Sequence, residues 1–416
     1  MAKAKTLDVL VEEFDGSLMV ATLQHGKLDG IEIDPSSEEV RWGSVYMAKV
    51  TRIDKALDAA FVDLDGSNEG ILNCADVRIV GKNGKIVKGG NEPIGKLLKA
   101  GQSIAVQAKS GYMPKKPEDD TERFEDKISK VSMDITLQGR YLIHAPLETK
   151  NRVSSRIRDK KLRAQLMTML ESLDGVEGII LRASSAGVQT DILRREAKIL
   201  NALWGGLQDH LIESNAPGLI MDGPDAMQRT LADLAGRRVD RVEVTTMGHF
   251  QEVEEWCEVY APDLVTKIHP IELKKPVPDL GLFEVRDVVG QVEDLFQPYV
   301  IMNEAAVMII EQTAALTAVD INRGGDTRSN LAINIAAAQE AARQLRLRNL
   351  GGIIVIDFLK MKDKIEKEKL TEALGEAFNL DPCTVQIHGL TKLGLMEITR
   401  SRRTPPLQEK FESMME

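Results

Sequence analysis

The sequence predicts a mixed α/β protein made of several subdomains. Three observations lead to this prediction. The chain of 416 residues is too long for a single hydrophobic core. Its first 110 or so residues alternate short apolar runs with glycine-rich turns, which is typical of β-structure. From Lys150 onward, apolar residues recur at helical spacing and alternate with short strand-like runs, which predicts α/β units.

The amino-terminal region is predicted to begin with three strands, at 7–13, 18–24 and 27–33. Turn signals at Asp15-Gly16 and Gln24-His25-Gly26 separate these strands. The strand pattern then continues through GSVYMAKVTRI, AAFVDL, EGILN and SIAVQAK, with no helical period between them. Short strands joined in this way predict a small barrel of about five strands, the OB design.

The remainder of the chain is predicted to mix helices with strands. The predicted helices lie at 157–173, 191–214, 225–235, 248–260, 283–296, 329–348 and 363–378. The predicted strands of the last hundred or so residues lie at 306–311, 314–322, 352–358 and 384–387. Polar loops marked by Gly or Pro are predicted at 82–90, 113–127 and 271–283.

Cysteine usage and hydropathy indicate the class of protein. Cys74, Cys257 and Cys383 are scattered without CxxC spacing, which argues against a disulfide framework or a zinc cluster. The first residues turn acidic before any apolar segment of signal-peptide length, and no apolar run is long enough to span a bilayer. We therefore expect a soluble, cytoplasmic protein.

Net charge alone argues against nucleic-acid binding, since it is −10 at pH 7. Basic residues nevertheless cluster, and phosphate recognition depends on local cations. Residues 150–163 hold seven basic side chains against one acid. Two further groups consist of arginines 343, 346 and 348 and of arginines 400, 402 and 403. Each group is consistent with a solvated face, and the three together are consistent with a groove for a polyanion.

An acid at the end of a buried-looking strand is the strongest chemical signal. The run AALTAVDIN is apolar and partly β-branched, yet Asp320 and Asn322 project from one face of its end. A second apolar strand, GGIIVIDF, carries Asp357 in the same position. A strand, a crossover helix and a second strand place the two strands parallel and adjacent. Two carboxylates and an amide oxygen then suit Mg²⁺, which shares its coordination shell with phosphate.

The same segments resemble a known family. AALTAVDIN, INIAAAQEAARQLRLRNLGGIIVIDF and TKLGLMEITRSRRTPPL resemble the catalytic region of the ribonuclease E/G family, and GSVYMAKVTRIDKALDAAFVDLDGSNEGIL resembles its embedded S1 domain. The likeness is collinear from about Leu7 to Leu407. It implies an endoribonuclease that cuts single-stranded RNA in RNA processing or decay, leaving a 5′-phosphate and a 3′-hydroxyl.

The resemblance also implies a division of the chain into subdomains. An RNase H-like subdomain, formed by two separate segments, would hold an inserted S1 (OB) barrel and a 5′-sensor region. A DNase I-like α/β catalytic subdomain would follow. The implied divisions are the first RNase H-like segment (1–40), the S1 domain (41–138), the 5′-sensor region (139–216), the second RNase H-like segment (217–295), the catalytic subdomain (296–403) and a short tail (404–416).

Site roles follow from the resemblance, residue by residue. Asp320 and Asp357 match the acids that bind Mg²⁺, and Asn322 matches the residue that supports that site. The other matched residues contact RNA or its 5′-end: Phe61 by stacking on a base, Lys109 at a phosphate, and Gly139, Arg156 and Arg182 in the 5′-monophosphate pocket.

The chain departs from the family pattern in places that affect RNA contacts. Ile71 stands where a second aromatic is expected, which predicts a weaker grip through the barrel. Ala183 and Thr384 replace a threonine and an arginine of the phosphate pocket, with Ser184 as a possible substitute hydroxyl. Weak discrimination of the 5′-end is therefore expected.

Three other departures lie elsewhere. Ser155 replaces the partner of Arg156, and Ala336 replaces a glutamate. No cysteine pair follows RTPPL, so an oligomer, if formed, is not expected to be linked by zinc.

Two rival functions remain open. A catalytically weak RNA-binding scaffold or regulator of the same fold would use the barrel without the acids. A metal-dependent phosphatase or nuclease would act on a different polyanion. The retained Asp320, Asn322 and Asp357 favour the endoribonuclease.

Overall fold

A computed structural model describes residues 6–81, 86–111, 128–155, 157, 159–173, 176–271, 281–302 and 305–415. The chain divides into two compact units. The first unit is formed by the residues up to Pro35, by Asp240–Phe250 and by the residues from His269 onward. The second unit is formed by Ser36–Val239 and Gln251–Ile268. The predicted loop at 113–127 and most of that at 271–283 lie outside the described residues, as do residues 82–85.

The strands, in chain order, are as follows. The amino-terminal half contains β1 (Thr6–Phe14), β2 (Ser17–Gln24), β3 (Lys27–Asp34), β4 (Val45–Asp54), β5 (Ala59–Asp63), β6 (Glu69–Asn73), β7 (Arg78–Val80), β8 (Ile86–Lys88), β9 (Ser103–Ala108), β10 (Ser129–Ser132), β11 (Leu137–Gln138), β12 (Leu142–His144), β13 (Arg152–Val153) and β14 (Ile179–Leu181). The carboxyl-terminal half contains β15 (Gly218–Met221), β16 (Arg238–Val244), β17 (Ile268–Pro270), β18 (Tyr299–Ile301), β19 (Val307–Gln312), β20 (Leu316–Asn322), β21 (Gly352–Asp357), β22 (Val385–Leu390) and β23 (Met396–Arg400).

The helices complete the secondary structure. The α-helices are α1 (Ile94–Leu97), α2 (Lys160–Glu171), α3 (Thr190–Glu213), α4 (Ala226–Asp233), α5 (Met247–Tyr260), α6 (Leu282–Val285), α7 (Val289–Glu293), α8 (Asn330–Leu347), α9 (Lys364–Ala377) and α10 (Leu407–Met415). Single 3₁₀ turns lie at Cys74–Asp76, Ala183–Ser185, Val265–Lys267, Asp294–Phe296 and Phe378–Leu380. None of the described helices is long and apolar enough to cross a lipid bilayer.

Two tight hairpins open the first unit, as the sequence predicts. β1 pairs with β2 up to Phe14 opposite Ser17, so only Asp15 and Gly16 form the turn. Both residues have positive φ, 48° and 73°, which is the conformation of a type I′ hairpin turn. The hairpins belong to a five-stranded sheet in the order β17-β16-β1-β2-β3.

The predicted helix at 283–296 is wrong as a single element. The chain forms α6 and α7 instead, and Asp287 between them takes a left-handed φ of 54°. Glu12 of β1 holds the start of α6, since its carboxylate accepts the backbone N–H groups of Leu282 at 2.7 Å and Phe283 at 2.9 Å. The break turns Val285 toward solvent, although the helical pattern placed it on the apolar side.

The second sheet of the first unit positions the predicted acids. Its strand order is β18-β19-β20-β21-β23-β22. β20 and β21 are parallel, and α8 connects them, as predicted from the strand–helix–strand pattern. Ile354 and Ile356 of β21 are fully buried together with a set of small residues on α8, namely Ala337, Ala338, Ala341 and Ala342. Small side chains on this face of α8 allow the helix to pack closely on the sheet.

A closed five-stranded barrel forms the first portion of the second unit, which confirms the predicted barrel. β4 pairs with β5 on one side and with β9 on the other, so the order β4-β5-β6-β10-β9 closes on itself. Ala60 and Val62 of β5 and Leu72 of β6 fill the interior. Because strand residues alternate between faces, Phe61 and Ile71 project outward.

The rest of the second unit contains a small sheet covered by helices. The strand order is β11-β12-β14-β13. Leu142 of β12 and Leu181 of β14 pack with Leu166 of α2 and Leu193 of α3 in one buried cluster. This cluster supports the backbone around Gly139 and Arg182.

Two residues of α9 provide a matched test of the core of the six-stranded sheet. Leu370 is 0% exposed and Ile365 is 62% exposed on the same helix. We expect Leu370→Ala to lower the free energy of unfolding by about 2–5 kcal/mol, because it leaves a cavity. Ile365→Ala is expected to change it by less than about 0.5 kcal/mol. Urea titration followed by circular dichroism measures both, and equal losses would contradict the packing described.

Candidate functional site

The structure places the two predicted acids side by side. In the parallel pairing of β20 with β21, Asp320 lies directly opposite Asp357 at the carboxyl ends of both strands. Neighbouring strands are about 4.8 Å apart, and opposed residues project to the same face. Both side chains are exposed. Two carboxylates separated by 37 positions of sequence therefore share one edge of the sheet.

Asn322 joins this pair. It lies two residues after Asp320 on the same face of β20, and its Nδ2 donates a hydrogen bond to Asp320 Oδ2 at 2.7 Å. One oxygen of Asp320 is thereby oriented, while the Asn322 carbonyl oxygen belongs to the same exposed edge. The three residues predicted from the sequence form one constellation in the first unit.

Two asparagines of α8 hold the backbone that follows Asp357. Asn334 is 0% exposed, donates to the carbonyl oxygen of Leu359 at 2.8 Å and accepts from the Leu359 N–H at 3.0 Å. One turn earlier, Asn330 Nδ2 donates to the carbonyl oxygen of Lys360 at 2.7 Å. Sequence reasoning missed both residues. The sequence did contain a signal for them, since two poor helix formers stand four residues apart on one face of a predicted helix.

The loop after Asn322 is tied to itself. Arg323 Nη1 donates to the carbonyl oxygens of Asp326 at 2.8 Å and Arg328 at 2.7 Å. Arg328 in turn pairs with the buried Asp326 carboxylate and lowers its pKa below the ordinary value. Gly324 has a φ of +55°, and a Cβ there would lie 2.1 Å from the carbonyl oxygen of Ala305. Only glycine fits this approach.

The donor set decides which metal the site fits. In the described part of the chain, no group of three or more His, Cys, Asp or Glu side chains is placed to bind one ion. Asp320, Asp357 and Asn322 offer two carboxylates and an amide instead. Mg²⁺ is commonly bound by one or two carboxylates and completes its shell with water and substrate phosphate. The residues present therefore fit a hard divalent cation.

The predicted RNA contacts of the barrel are more enclosed than the sequence suggests. Phe61 is 7% exposed, because the guanidinium of Arg52 lies 3.8 Å from the centroid of its ring. Lys109 Nζ donates to Gln107 Oε1 at 2.8 Å and to the carbonyl oxygen of Asp134 at 2.9 Å. Burial lowers the pKa of Lys109 to about 8. Its charge is therefore sensitive to mildly alkaline pH.

The structure brings Arg182 to Gly139, two residues of the predicted 5′-sensor. Arg182 Nη1 donates to the Gly139 carbonyl oxygen at 3.0 Å, and Nη2 donates to Asp233 Oδ1 at 2.8 Å. The Gly139 N–H, expected to be a phosphate donor, is bonded to the carbonyl oxygen of Leu142 at 2.9 Å. Arg156, the third predicted sensor residue, lies outside the described residues.

Residues beside this group are also committed to internal contacts. The hydroxyl of Ser184 donates to the carbonyl oxygen of Arg140 at 3.2 Å. Glu196 is buried against Gly139 and accepts the N–H groups of Tyr141 at 2.9 Å and Leu142 at 3.0 Å. Burial raises the pKa of Glu196 above its ordinary value.

The hypothesis that the arginines of α8 line a polyanion groove is wrong. Arg343 donates to the carbonyl oxygen of Leu28 at 2.7 and 3.1 Å. Arg346 donates to the carbonyl oxygen of Asp29 at 3.2 Å and lies 3.6 Å from its carboxylate. Arg348 is buried. Arg343 and Arg346 therefore anchor α8 to β3 within the first unit, while Arg348 donates to the carbonyl oxygen of Gln297 at 2.7 Å.

Arg400, the first member of the third basic group, also has a structural role. Arg400 is 3% exposed and makes two hydrogen bonds to the Asp381 carboxylate, at 2.8 and 3.1 Å. It also donates to the carbonyl oxygen of Leu350 at 2.8 Å. Arg403 donates to the carbonyl oxygen of Pro382 at 2.7 Å. These bonds fix the end of β23, and the charge of Arg400 is paired with that of Asp381.

Comparison with known proteins adds an independent line. Residues 136–403 match the Ribonuclease E/G family. Ribonuclease G of Haemophilus influenzae is 29% identical over 416 residues, which cover 97% of this chain and 81% of that protein. Ribonuclease G of Escherichia coli K12 is 29% identical over 411 residues, covering 95% and 80%. Ribonuclease E of Haemophilus influenzae is 28% identical over 400 residues, covering 94% of this chain and 41% of its own.

The family match spans the segments AALTAVDIN and INIAAAQEAARQLRLRNLGGIIVIDF, from which the resemblance to the catalytic region was drawn, whereas the S1-like segment at 43–72 lies before it. The match includes β20, α8 and β21, with Asp320 and Asp357 side by side. The family resemblance in the sequence is thereby confirmed, and the chain belongs to the Ribonuclease E/G family.

Proposed function

We propose that this protein is a Mg²⁺-dependent endoribonuclease that cuts single-stranded RNA internally, leaving a 5′-phosphate and a 3′-hydroxyl. The observation that carries the proposal is the in-register placement of Asp320 and Asp357, with Asn322 bonded to Asp320. The names of the similar proteins, Ribonuclease G and Ribonuclease E, support an RNA substrate. We place its activity in RNA processing or decay in the cytoplasm.

The mechanism assigns a separate task to each residue of the site. Asp320 and Asp357 would hold the cation, and the amide of Asn322 fixes the Asp320 carboxylate through the 2.7 Å hydrogen bond. When bound, Mg²⁺ supplies a Lewis acid that polarises a phosphate oxygen and lowers the pKa of an attacking water. Asn330 and Asn334 act indirectly, because they fix the backbone at Lys360 and Leu359, shortly after Asp357.

We also propose the subdomain identities that the family implies. The barrel at 41–138 would serve as an S1 domain that binds RNA, with 139–216 as the 5′-sensor region. The segments 1–40 and 217–295 would be RNase H-like, and 296–403 would be the DNase I-like catalytic subdomain. The closed five-stranded barrel and the six-stranded sheet around β20 support this division.

Recognition of the RNA 5′-end is proposed to be weak. The Arg182 guanidinium is shared between the Gly139 carbonyl and the Asp233 carboxylate, and the Gly139 N–H is occupied. A phosphate would have to displace an existing carboxylate from Arg182. Ala183 and Thr384 offer no arginine fork to compensate for that cost.

Neutralising one acid tests the catalytic proposal. We expect Asp320→Asn to lower the rate of RNA cleavage at least about 100-fold, because a ligand of the cation is lost. Asn322→Ala is expected to lower it about 10–100-fold, as is typical for partners of metal ligands. A gel assay of unstructured RNA with Mg²⁺ and with EDTA measures both.

Glu311→Gln is the matched control for these variants. It removes an exposed carboxylate from β19, the neighbouring strand, and should leave the rate unchanged. RNA affinity in EDTA should be retained in all three variants. Full activity of Asp320→Asn would refute the metal site, whereas RNA binding without any cleavage by the wild type would favour the scaffold.

Cleavage of RNAs that differ only at the 5′-end tests the sensor proposal. We expect 5′-monophosphate and 5′-hydroxyl forms to be cut at rates within about threefold, because a free charge-assisted phosphate contact would give a larger ratio. A circular form of the same RNA serves as the control without any end. A preference for monophosphate above about tenfold would contradict the assignment.

The pKa of Lys109 generates a pH prediction. This amine is protonated below about pH 8 and neutral above it, because burial disfavours its charge. If it contacts a phosphate, RNA affinity should fall about fivefold between pH 7 and pH 9. Lys109→Met should bind weakly and lose most of this pH dependence. Fluorescence anisotropy in EDTA measures the effect, and an unaltered pH profile in Lys109→Met would exclude the contact.

A further inference from the structure

The outer face of the barrel carries a continuous row of side chains. Arg52 of β4 lies opposite Phe61 of β5, Phe61 lies opposite Ile71 of β6, and Ile71 lies opposite Lys130 of β10. Opposed residues on neighbouring strands project to the same side of a sheet. We name these four residues the barrel row. It places two apolar side chains between two cations.

Register extends the row to the predicted phosphate contact. Val131 of β10 lies opposite Ala108 of β9, so Lys130 lies next to Lys109, whose N–H donates to the Lys130 carbonyl oxygen at 2.8 Å. Ala108 and Val131 point into the barrel core. The side chain of Lys109 therefore leaves the backbone on the same outer face as that of Phe61, although the two residues are distant in sequence.

Arg52 covers Phe61 on the solvent side of this surface. Its guanidinium carbon lies 3.8 Å from the Phe61 ring centroid, which is a close cation–π contact. The Arg52 side chain is 60% exposed, whereas Phe61 is 7% exposed. A ligand approaching the barrel row from solvent consequently meets the guanidinium of Arg52 before it meets the ring.

We propose that Arg52, held flat by Phe61, is the surface on which a base of single-stranded RNA stacks. The inference rests on the proposed RNA-binding function of the barrel and adds a binding residue to it. A guanidinium stacks on bases as aromatic side chains do, and it also carries a charge that attracts phosphate. Ile71 provides apolar contact but no π-face, so Arg52 and Phe61 together supply the stacking in the barrel row.

Charge indicates where the phosphates of the bound strand lie. Asp63 and Glu69 are opposed to one another on the same outer face, two residues from Phe61 and Ile71. Their carboxylates repel an RNA backbone on that side of the barrel row. On the other side, Asp54 lies opposite Ala59 and its carboxylate lies 3.4 Å from Arg52 Nη1, so that side also carries an acid. The phosphates are therefore placed at the cationic end of the barrel row, beside Lys130 and Lys109.

Single variants of Arg52 and Lys55 separate stacking from charge. Affinity for an unstructured oligoribonucleotide, measured by fluorescence anisotropy in EDTA, should fall about tenfold in Arg52→Ala and about fivefold in Arg52→Lys, because lysine keeps the charge without the plane. Lys55→Ala removes one cation from an exposed turn of the same barrel and should cost less than about twofold. Arg52→Gln provides a second neutral variant should Arg52→Ala melt early in circular dichroism.

A double variant tests whether Arg52 and Phe61 act as one unit. If the base stacks on the pair, Arg52→Ala combined with Phe61→Ala should bind no worse than about twofold below Phe61→Ala alone. Independent contacts would instead multiply the two losses. A multiplied loss would overturn the proposal.

Two other results would also overturn it. Wild-type affinity in Arg52→Lys would show that only charge matters, and tighter binding by Arg52→Ala would show that Arg52 merely shields Phe61. Absence of RNA binding by the wild-type protein would contradict both the proposed function of the barrel and this inference. Wild-type binding with unaffected Arg52 variants would remove this inference alone.

Discussion

The parallel pairing of β20 with β21 is the constraint on which the candidate site depends. Asp320 and Asp357 face each other only in this register. A shift of one residue would turn one acid to the opposite face of the sheet, because side chains alternate along a strand. The buried residues Val319, Ile321, Ile354 and Ile356 fix the register, since each must remain in the core. Apolar packing therefore sets the separation of the two charges.

Helix α8 connects this constraint to the rest of the first unit. Its alanines lie on the sheet, and Asn330 and Asn334 secure the chain that leaves β21. On another side, Arg343 and Arg346 bond to the backbone of the β2–β3 hairpin. One helix thus serves as the crossover, as a core element and as the support of the site. This division of its surface explains why so many of its polar residues are only partly exposed or buried.

The sequence predicted those structural features that are determined by residues close to one another in the chain. The Asp15-Gly16 turn, the barrel strands and the β20–α8–β21 unit all follow from periodicity and turn residues. The meeting of Asp320 and Asp357 followed because a crossover connection determines which strand ends are neighbours. The acids could therefore be placed without knowledge of the remaining fold.

Partners distant in sequence account for what could not be predicted. Arg343 looks like a free cation in the sequence, but its acceptor is a carbonyl oxygen 315 residues away. Main-chain acceptors leave no trace in the amino-acid pattern. The same holds for Arg52, whose position over Phe61 depends on a shift of register in β4. Similarly, β23 is inserted between β21 and β22, and no local signal gives that order.

The discontinuity of the first unit has a consequence during protein synthesis. The hairpins formed by the residues up to Pro35 leave the ribosome before the elements that cover them, which come from His269 onward. The apolar face of those hairpins, which includes Leu10 and Leu28, stays uncovered until more than half of the chain has been translated. The second unit, by contrast, is nearly continuous and can fold while translation proceeds. During this interval the apolar face of β1–β3 is open to aggregation or to capture by chaperones.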